Sequence, residues 1–409
     1  MSTSRVPTNG GDAHNFGRRV AVGAHEVHKP RTLLWEWLVL GAKSPLRAIL
    51  RDAATREGQP MAFEFLPELW FSAPTSRVGG TVQRLLLEPL PALSSAHRRE
   101  LSQVVGRAVA LFSWLGVADL HWENLALGRG TEGQIVFAPL DVEFILDDLS
   151  SPAQTKLLPE SDAEYGTINR HASGVRRVLP YLGKPIRCTD LLLMLEAYEW
   201  TLDLLDREAS VIASTLAGLP TLRQTPIRVL LRGTGDYVRA NTEPVFPPLL
   251  PGEASQLARG DIPYFFRLYG QPGIHHYDDP TLDHWATLPT RGDVPRLTPL
   301  LSLARGLRAP SRKKLREEGL FTLLGAFDHR SFVGRHHGDA LDVTFGARSL
   351  VIGNRKTGEE LEARRNLSAF VESVYLPCTC GEVRAPLVPQ VTTCEPQRSS
   401  KSAPKAKRR

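Results

Sequence analysis

The sequence predicts an α+β protein in which a small β-rich N-terminal lobe precedes a mainly helical one. Three observations predict it. Short β-prone runs separated by glycine turns fill the first 90 residues. An apolar stripe at helical spacing, Leu101, Val104, Val105, Ala108, Leu111, Phe112 and Leu115, follows directly. A second β-prone run over 134–140 then leads into Asp141.

Taken in order, residues 1–8 read as a loose leader and Asn9 to Gly17 as a glycine-rich loop. Arg18 to Val22 and Glu26 to Lys29 flank a Gly23-Ala24 turn, which predicts a hairpin ending in a lysine. Pro30 stops it, and an apolar helical segment begins near Leu33. Residues 61–71 and 81–88 read as two further strands. Ser94 or Ser95 caps the helix that carries the apolar stripe, and Gly116 ends it. Residues 147–186 are irregular, and Thr189 can cap a helix reaching about Leu216. Later segments read as mostly helical. Two β-prone runs around Gly353-Asn354 predict a hairpin between Leu341 and Ala363. The resulting division is 1–90, 91–330, an appendage over 331–385, and a basic tail over 386–409.

Composition narrows the function. The chain has 409 residues, 50 basic and 44 acidic, for a net charge of +6. Arg398, Lys401, Lys405, Lys407, Arg408 and Arg409 account for the whole excess, so the remainder balances at 44 against 44. A nucleic-acid footprint is therefore not expected on the folded body. Four cysteines do not make a disulfide framework. Cys378, Cys380 and Cys394 lack the spacing of a zinc site. The longest apolar run, Leu33 to Leu40, contains Glu36 and is too short to span a bilayer. With no signal pattern at the N-terminus, the expected location is cytoplasmic.

The chemistry concentrates in a few segments. Asp119-Leu-His121-Trp-Glu-Asn124 places a carboxylate five residues before an asparagine, and Asp141-Val-Glu143 follows the next strand. Phosphoryl transfer needs a base for the attacking hydroxyl, oxygen ligands for magnesium, a phosphate cradle and a cation over the phosphates. Asp119 suits the base, and Asn124 and Asp141 suit the metal. Gly11 and Gly17 let backbone N–H groups approach phosphate oxygens. Lys29 ends the strand from which an ammonium reaches back. Arg228 and Arg232, with Thr234, suit a phosphate or a carboxylate. Each segment alone has a bland reading as a turn or a surface charge; their order along the chain points to a kinase-like fold.

These residues also resemble a known family. Gly11-Asp12-Ala-His14-Asn15-Phe-Gly17, His28-Lys29-Pro30-Arg31, the Asp119–Asn124 loop and Asp141-Val-Glu143 are similar to motifs of the dehydratase domain of class II lanthipeptide synthetases. Arg228 to Tyr237 and Gly260 to Phe265 resemble its next two motifs. The resemblance implies a lipid-kinase-like fold. It implies an enzyme that phosphorylates Ser or Thr of a precursor peptide with ATP and magnesium, then eliminates the phosphate. It assigns Lys29, Asp119, His121, Asn124, Asp141 and Glu143 to phosphorylation and Arg228 and Thr234 to elimination, with Asp12 and His14 in the phosphate loop. The family's motifs follow a long helical region and precede a cyclase domain, whereas here they begin almost at Met1 and no cyclase-like stretch follows. A separate cyclase, or a partner chain supplying the N-terminal region, is the implied partner beside the peptide. Two other readings stand beside it: a peptide or protein kinase without elimination, and an idle kinase-like binding subunit.

Overall fold

The computed structural model describes residues 8–288 apart from 148, 150–151, 159–172, 183–187, 244–247 and 270. Beyond them it describes 310–311, 315–316, 319, 322–323 and the backbone of three strands within 341–364. The fold is mixed α+β, with antiparallel sheets.

The first sheet has the order β1-β2-β3-β5-β4: β1 (Thr8–His14), β2 (Arg18–Val22), β3 (Glu26–Lys29), β4 (Phe71–Ser72) and β5 (Gly80–Gln83). The expected hairpin forms, with Ala21 opposite His28 and Val22 opposite Val27. The stretch before it is a strand rather than a loop. Its glycines are used in an irregularity of the β1–β2 register between Gly10 and His14, where Gly11 has a φ of 73°. Residues 61–66 are turns, not a strand, although Ala62, Phe63, Phe65 and Leu66 are buried. Apolar content alone does not separate a buried turn from a buried strand.

Helices α1 (Leu34–Leu40) and α2 (Pro45–Arg56) fill the interval before those turns. Ser44 caps α2 and Pro45 occupies its first turn. Helix α3 (Ser95–Leu115) runs as expected from an Ser94 cap to Gly116, which is left-handed at φ 66°. Its stripe is fully inside, with Leu101, Val105, Ala108 and Phe112 all inaccessible. Each such large side chain contributes about 1.5–3 kcal/mol. A glycine inside a helix normally costs about 1 kcal/mol against alanine, but a Cβ at Gly106 would collide with the Met194 carbonyl. That contact lets α3 lie close along α5 (Cys188–Arg207), which follows the short α4 (Leu179–Leu182). The pair is pinned by Arg98–Asp190 at 2.8 Å and by Trp114 Nε1 donating to Asp206 at 3.0 Å.

The long helix expected to reach Leu216 is broken at Glu208, giving α5 and α6 (Ala209–Ala217). Glu196 on α5 is a buried carboxyl whose Oε1 has no hydrogen-bond partner, and burial pushes its pKa up to about 8. One hydrophobic core cluster spans Leu33 to Leu323.

The region expected to be mostly helical holds a second sheet of order β11-β10-β9-β8. Its strands are β8 (Pro226–Val229), β9 (Phe265–Leu268), β10 (His275–Tyr277) and β11 (Trp285–Thr287), with α7 (Thr234–Thr242) and α8 (Pro251–Ala258) between the first two. Strands of three or four residues are too short to show alternation. A hairpin of β6 (Leu125–Arg129) and β7 (Ile135–Pro139) lies between the sheets in sequence. The late β segment has three strands, β12 (Leu341–Phe345), β13 (Ser349–Asn354) and β14 (Glu360–Arg364). Gly353-Asn354 therefore ends a strand instead of forming the turn. Cys378, Cys380, Cys394 and the basic tail lie outside the described residues. Among the described residues, no helix is long and apolar enough to cross a membrane.

Candidate functional site

The register of the β6–β7 hairpin places the first two site residues side by side. Leu125 opposes Pro139, and the Leu140 amide donates to the Asn124 carbonyl at 2.7 Å. Asn124, just before β6, and Asp141, just after β7, therefore emerge at the same end. The loop ahead of Asn124 is held from two sides. The Ala118 amide donates to Phe144 at 3.2 Å and the Leu120 amide to Thr155 at 2.8 Å. Between them Asp119 takes a left-handed φ of 64°, a conformation costly for a residue with a Cβ. His121 then opens a short 3₁₀ turn over Trp122–Asn124.

Of the residues the sequence singles out, Gly11, Asp12, His14, Asp119, His121, Asn124, Asp141, Glu143, Arg228 and Thr234 line one cavity of about 430 Å³, and Gly17, Lys29 and Arg232 do not. Gly11, Asp12 and His14 come from β1; Asp119, His121 and Asn124 come from the loop after α3. Asp141 and Glu143 follow β7, Arg228 lies on β8, and Thr234 begins α7.

The three exceptions are placed differently. Lys29 is buried behind Asp141, with its ammonium 2.8 Å from Glu36, 2.7 Å from the Leu140 carbonyl and 3.9 Å from Asp141. The Gly17 amide is not open to a ligand, because Asp261 Oδ1 accepts it at 2.7 Å while Oδ2 accepts the Phe16 amide at 2.8 Å. Asn15, Phe16 and Gly17 are successively left-handed, which turns neighbouring amides toward one anion. In this protein that anion is its own buried Asp261. Arg232 also turns away, to Glu253 at 2.9 Å.

Three lining residues were given no separate role in the sequence. Arg31 joins Glu36 at 3.1 Å, Glu143 at 3.2 Å and Asp141 in a closer contact. Lys156 reaches Asp119 Oδ1 at 2.8 Å. Tyr264 packs edge-on to His14 and beneath the Arg228 guanidinium. The Lys-Pro-Arg triplet was the available signal for Arg31. Lys156 had none, since it sits in an irregular stretch.

The charges are strongly coupled. Against the upward push of burial, Arg228 and Arg31 hold the Glu143 carboxyl down to about 2. Burial raises Asp141, opposed by Arg31 and Lys29, so the two carboxyls of the pair are pushed in opposite directions. Burial and the nearby Arg228 lower His14, favouring its neutral imidazole. Its Nδ1 lies 2.7 Å from the Ile262 carbonyl, which can only accept, so the proton sits on Nδ1 and Nε2 is the basic nitrogen. Arg228 Nη1 meets both Glu143 oxygens at 3.3 Å, while its buried Nε has no hydrogen-bond partner among the described residues.

No family model matches the chain, and no curated protein matches it.

Proposed function

We propose that this chain is a lanthipeptide-type dehydratase of kinase-like, two-lobed architecture. In this reading it phosphorylates Ser or Thr of a precursor peptide with magnesium-ATP and eliminates the phosphate, leaving dehydroalanine or dehydrobutyrine. The observation that carries the reading is convergence. Residues selected by motif alone, from Gly11 to Thr234, surround one cavity of nucleotide-compatible size.

The donor set fits the nucleotide and its metal. Asn124 spends its amide nitrogen on the Asp119 carbonyl at 3.0 Å and on Oδ2 at 3.3 Å, which leaves its oxygen for a cation. Asp141 is one-third exposed and would supply the second oxygen ligand. Bound magnesium-ATP supplies the phosphoryl group and the charge that screens it.

The chain's own residues supply the rest. Asp119, with both oxygens oriented by Lys156 and Asn124, receives the proton of the attacking hydroxyl. In the elimination half, His14 takes the α-proton of the phosphorylated residue. The Cα–H electron pair becomes the Cα=Cβ bond, and the Cβ–O bond breaks. The unpartnered Arg228 Nε and the Thr234 hydroxyl receive the departing phosphate.

The test is mass spectrometry of Ser/Thr peptides incubated with the protein and magnesium-ATP. The expected products are dehydrated peptides, with phosphopeptide accumulating in Arg228→Ala and nothing modified by Asp119→Asn. Phosphopeptide without dehydration from the unaltered protein would reduce the activity to a simple kinase. No modification, together with no nucleotide-dependent rise in thermal midpoint, would remove the enzymatic reading altogether.

A further inference from the structure

Lys156 stands out when the cavity's cations are compared by what they already hold. Arg31 is committed to three carboxylates. Arg18 gives one guanidinium nitrogen to the Val78 carbonyl and another to Pro280. Arg228 is paired with Glu143 and sandwiched by Phe144 and Tyr264. Lys156 lines the same cavity, and one of its three N–H groups goes to Asp119. Its side chain is 37 % exposed, and the only carboxylate paired with it among the described residues is Asp119.

Its placement is built into the backbone. Lys156 has a left-handed φ of 61°, matching the 64° of Asp119 across the contact. Two non-glycine residues in this region persist only where their surroundings hold them. The Lys156 amide donates to Ala153 at 2.8 Å, and its carbonyl accepts Gly174 at 3.0 Å. Thr155 and Leu157 on either side are inaccessible, and a Cβ on Gly174 would strike Leu120, Leu125 and Leu157. The segment that carries Lys156 is thus locked to the loop that carries Asp119.

We propose that Lys156 is a catalytic residue that bridges the Asp119 carboxylate and the terminal phosphoryl group of the nucleotide. This rests on the kinase-like reading above. An ammonium in that position offsets charge on the transferred group while keeping the base aimed at the incoming hydroxyl.

The experiment compares calorimetric binding of magnesium-ATP and magnesium-ADP to the full chain and to Lys156→Gly, Lys156→Met and Lys156→Arg. Glycine suits a φ of 61°, so Lys156→Gly removes the ammonium while relieving the backbone and should fold with an undiminished thermal midpoint. The expected result is that Lys156→Gly and Lys156→Met weaken ATP about tenfold or more relative to ADP, whereas Lys156→Arg keeps the ratio. Equal loss of both nucleotides, or no change in the ratio, would overturn the role of Lys156 and leave the kinase-like reading intact. Failure of the unaltered protein to bind either nucleotide would overturn both.

Discussion

The wall that backs the cavity, built around β3, α1 and β8, and the wall that lines it, built from the Asp119 loop and Lys156, both pair lysine with carboxylates. They differ in how their charges are matched. On the first wall Lys29, Arg31 and Arg228 alternate with Glu36, Asp141 and Glu143, and most of these groups are deeply buried. On the second, Lys156 and Asp119 form a single pair, partly exposed on both sides. Buried ionic chains set geometry at high cost if broken, whereas an exposed pair adds about 0–1 kcal/mol. The first wall is a frame through which Asp141 and Arg228 reach the cavity, and the second holds a single pair open to it.

The largest way to break this comparison is Glu36→Ala. Glu36 is 2 % exposed and joins Lys29 to Arg31, so its loss removes the carboxylate that two buried cations share. Chemical denaturation should show a loss of about 3–5 kcal/mol. A loss below about 1 kcal/mol, the scale of an exposed pair, would mean that water reaches this wall and that the distinction between the walls fails.

Asp261→Ala comes next. It removes the acceptor for the Phe16 and Gly17 amides and the partner of Arg259. Leaving such donors unsatisfied costs about 1–3 kcal/mol. Hydrogen exchange at Phe16 and Gly17 should accelerate well before the α3 core opens. Unchanged protection at both amides would show that the tip is held by something other than this carboxylate.

A smaller, sharper test uses pH on two buried carboxylates. Glu143 lies between two guanidiniums and is depressed to about 2, so its stabilisation is present above the ordinary 4.5 and is lost as pH falls from 4.5 toward 2. Glu196 has no such cation among the described residues, and burial raises it to about 8. It remains protonated in the fold while the unfolded chain ionises, so stability is lost as pH rises from 4.5 to about 8. Glu143→Gln should flatten the acid limb of the stability profile, and Glu196→Gln the limb from 4.5 to 8. If both substitutions act on the same limb, burial rather than pairing governs the two sites.

Legibility in the sequence followed the range of the interactions. Ser94, Gly116 and the apolar stripe between them are local signals, and α3 obeys them. The end of β3 at Lys29 and the arrival of β7 ahead of Asp141 were readable for the same reason. Glu36 read only as an interruption in an apolar run, because its partners are set by the packing of α1 against β3. The turns over 61–66 looked like strand because burial leaves the same apolar mark on both. Gly17 looked like a phosphate cradle because its competing anion, Asp261, stands 244 residues away.

That separation bears on how the protein is made. The amides of Phe16 and Gly17 leave the ribosome long before the carboxylate that fastens them. At about 5–20 residues per second, the interval is on the order of 10–50 s. During synthesis the β1–β2 hairpin can pair with itself and with β3, but its left-handed tip still lacks the carboxylate that fastens it. A pause upstream of Gly260 would lengthen that window, and a break in the chain between Gly17 and Gly260 would leave the joining of this tip to Asp261 to the meeting of two separate pieces.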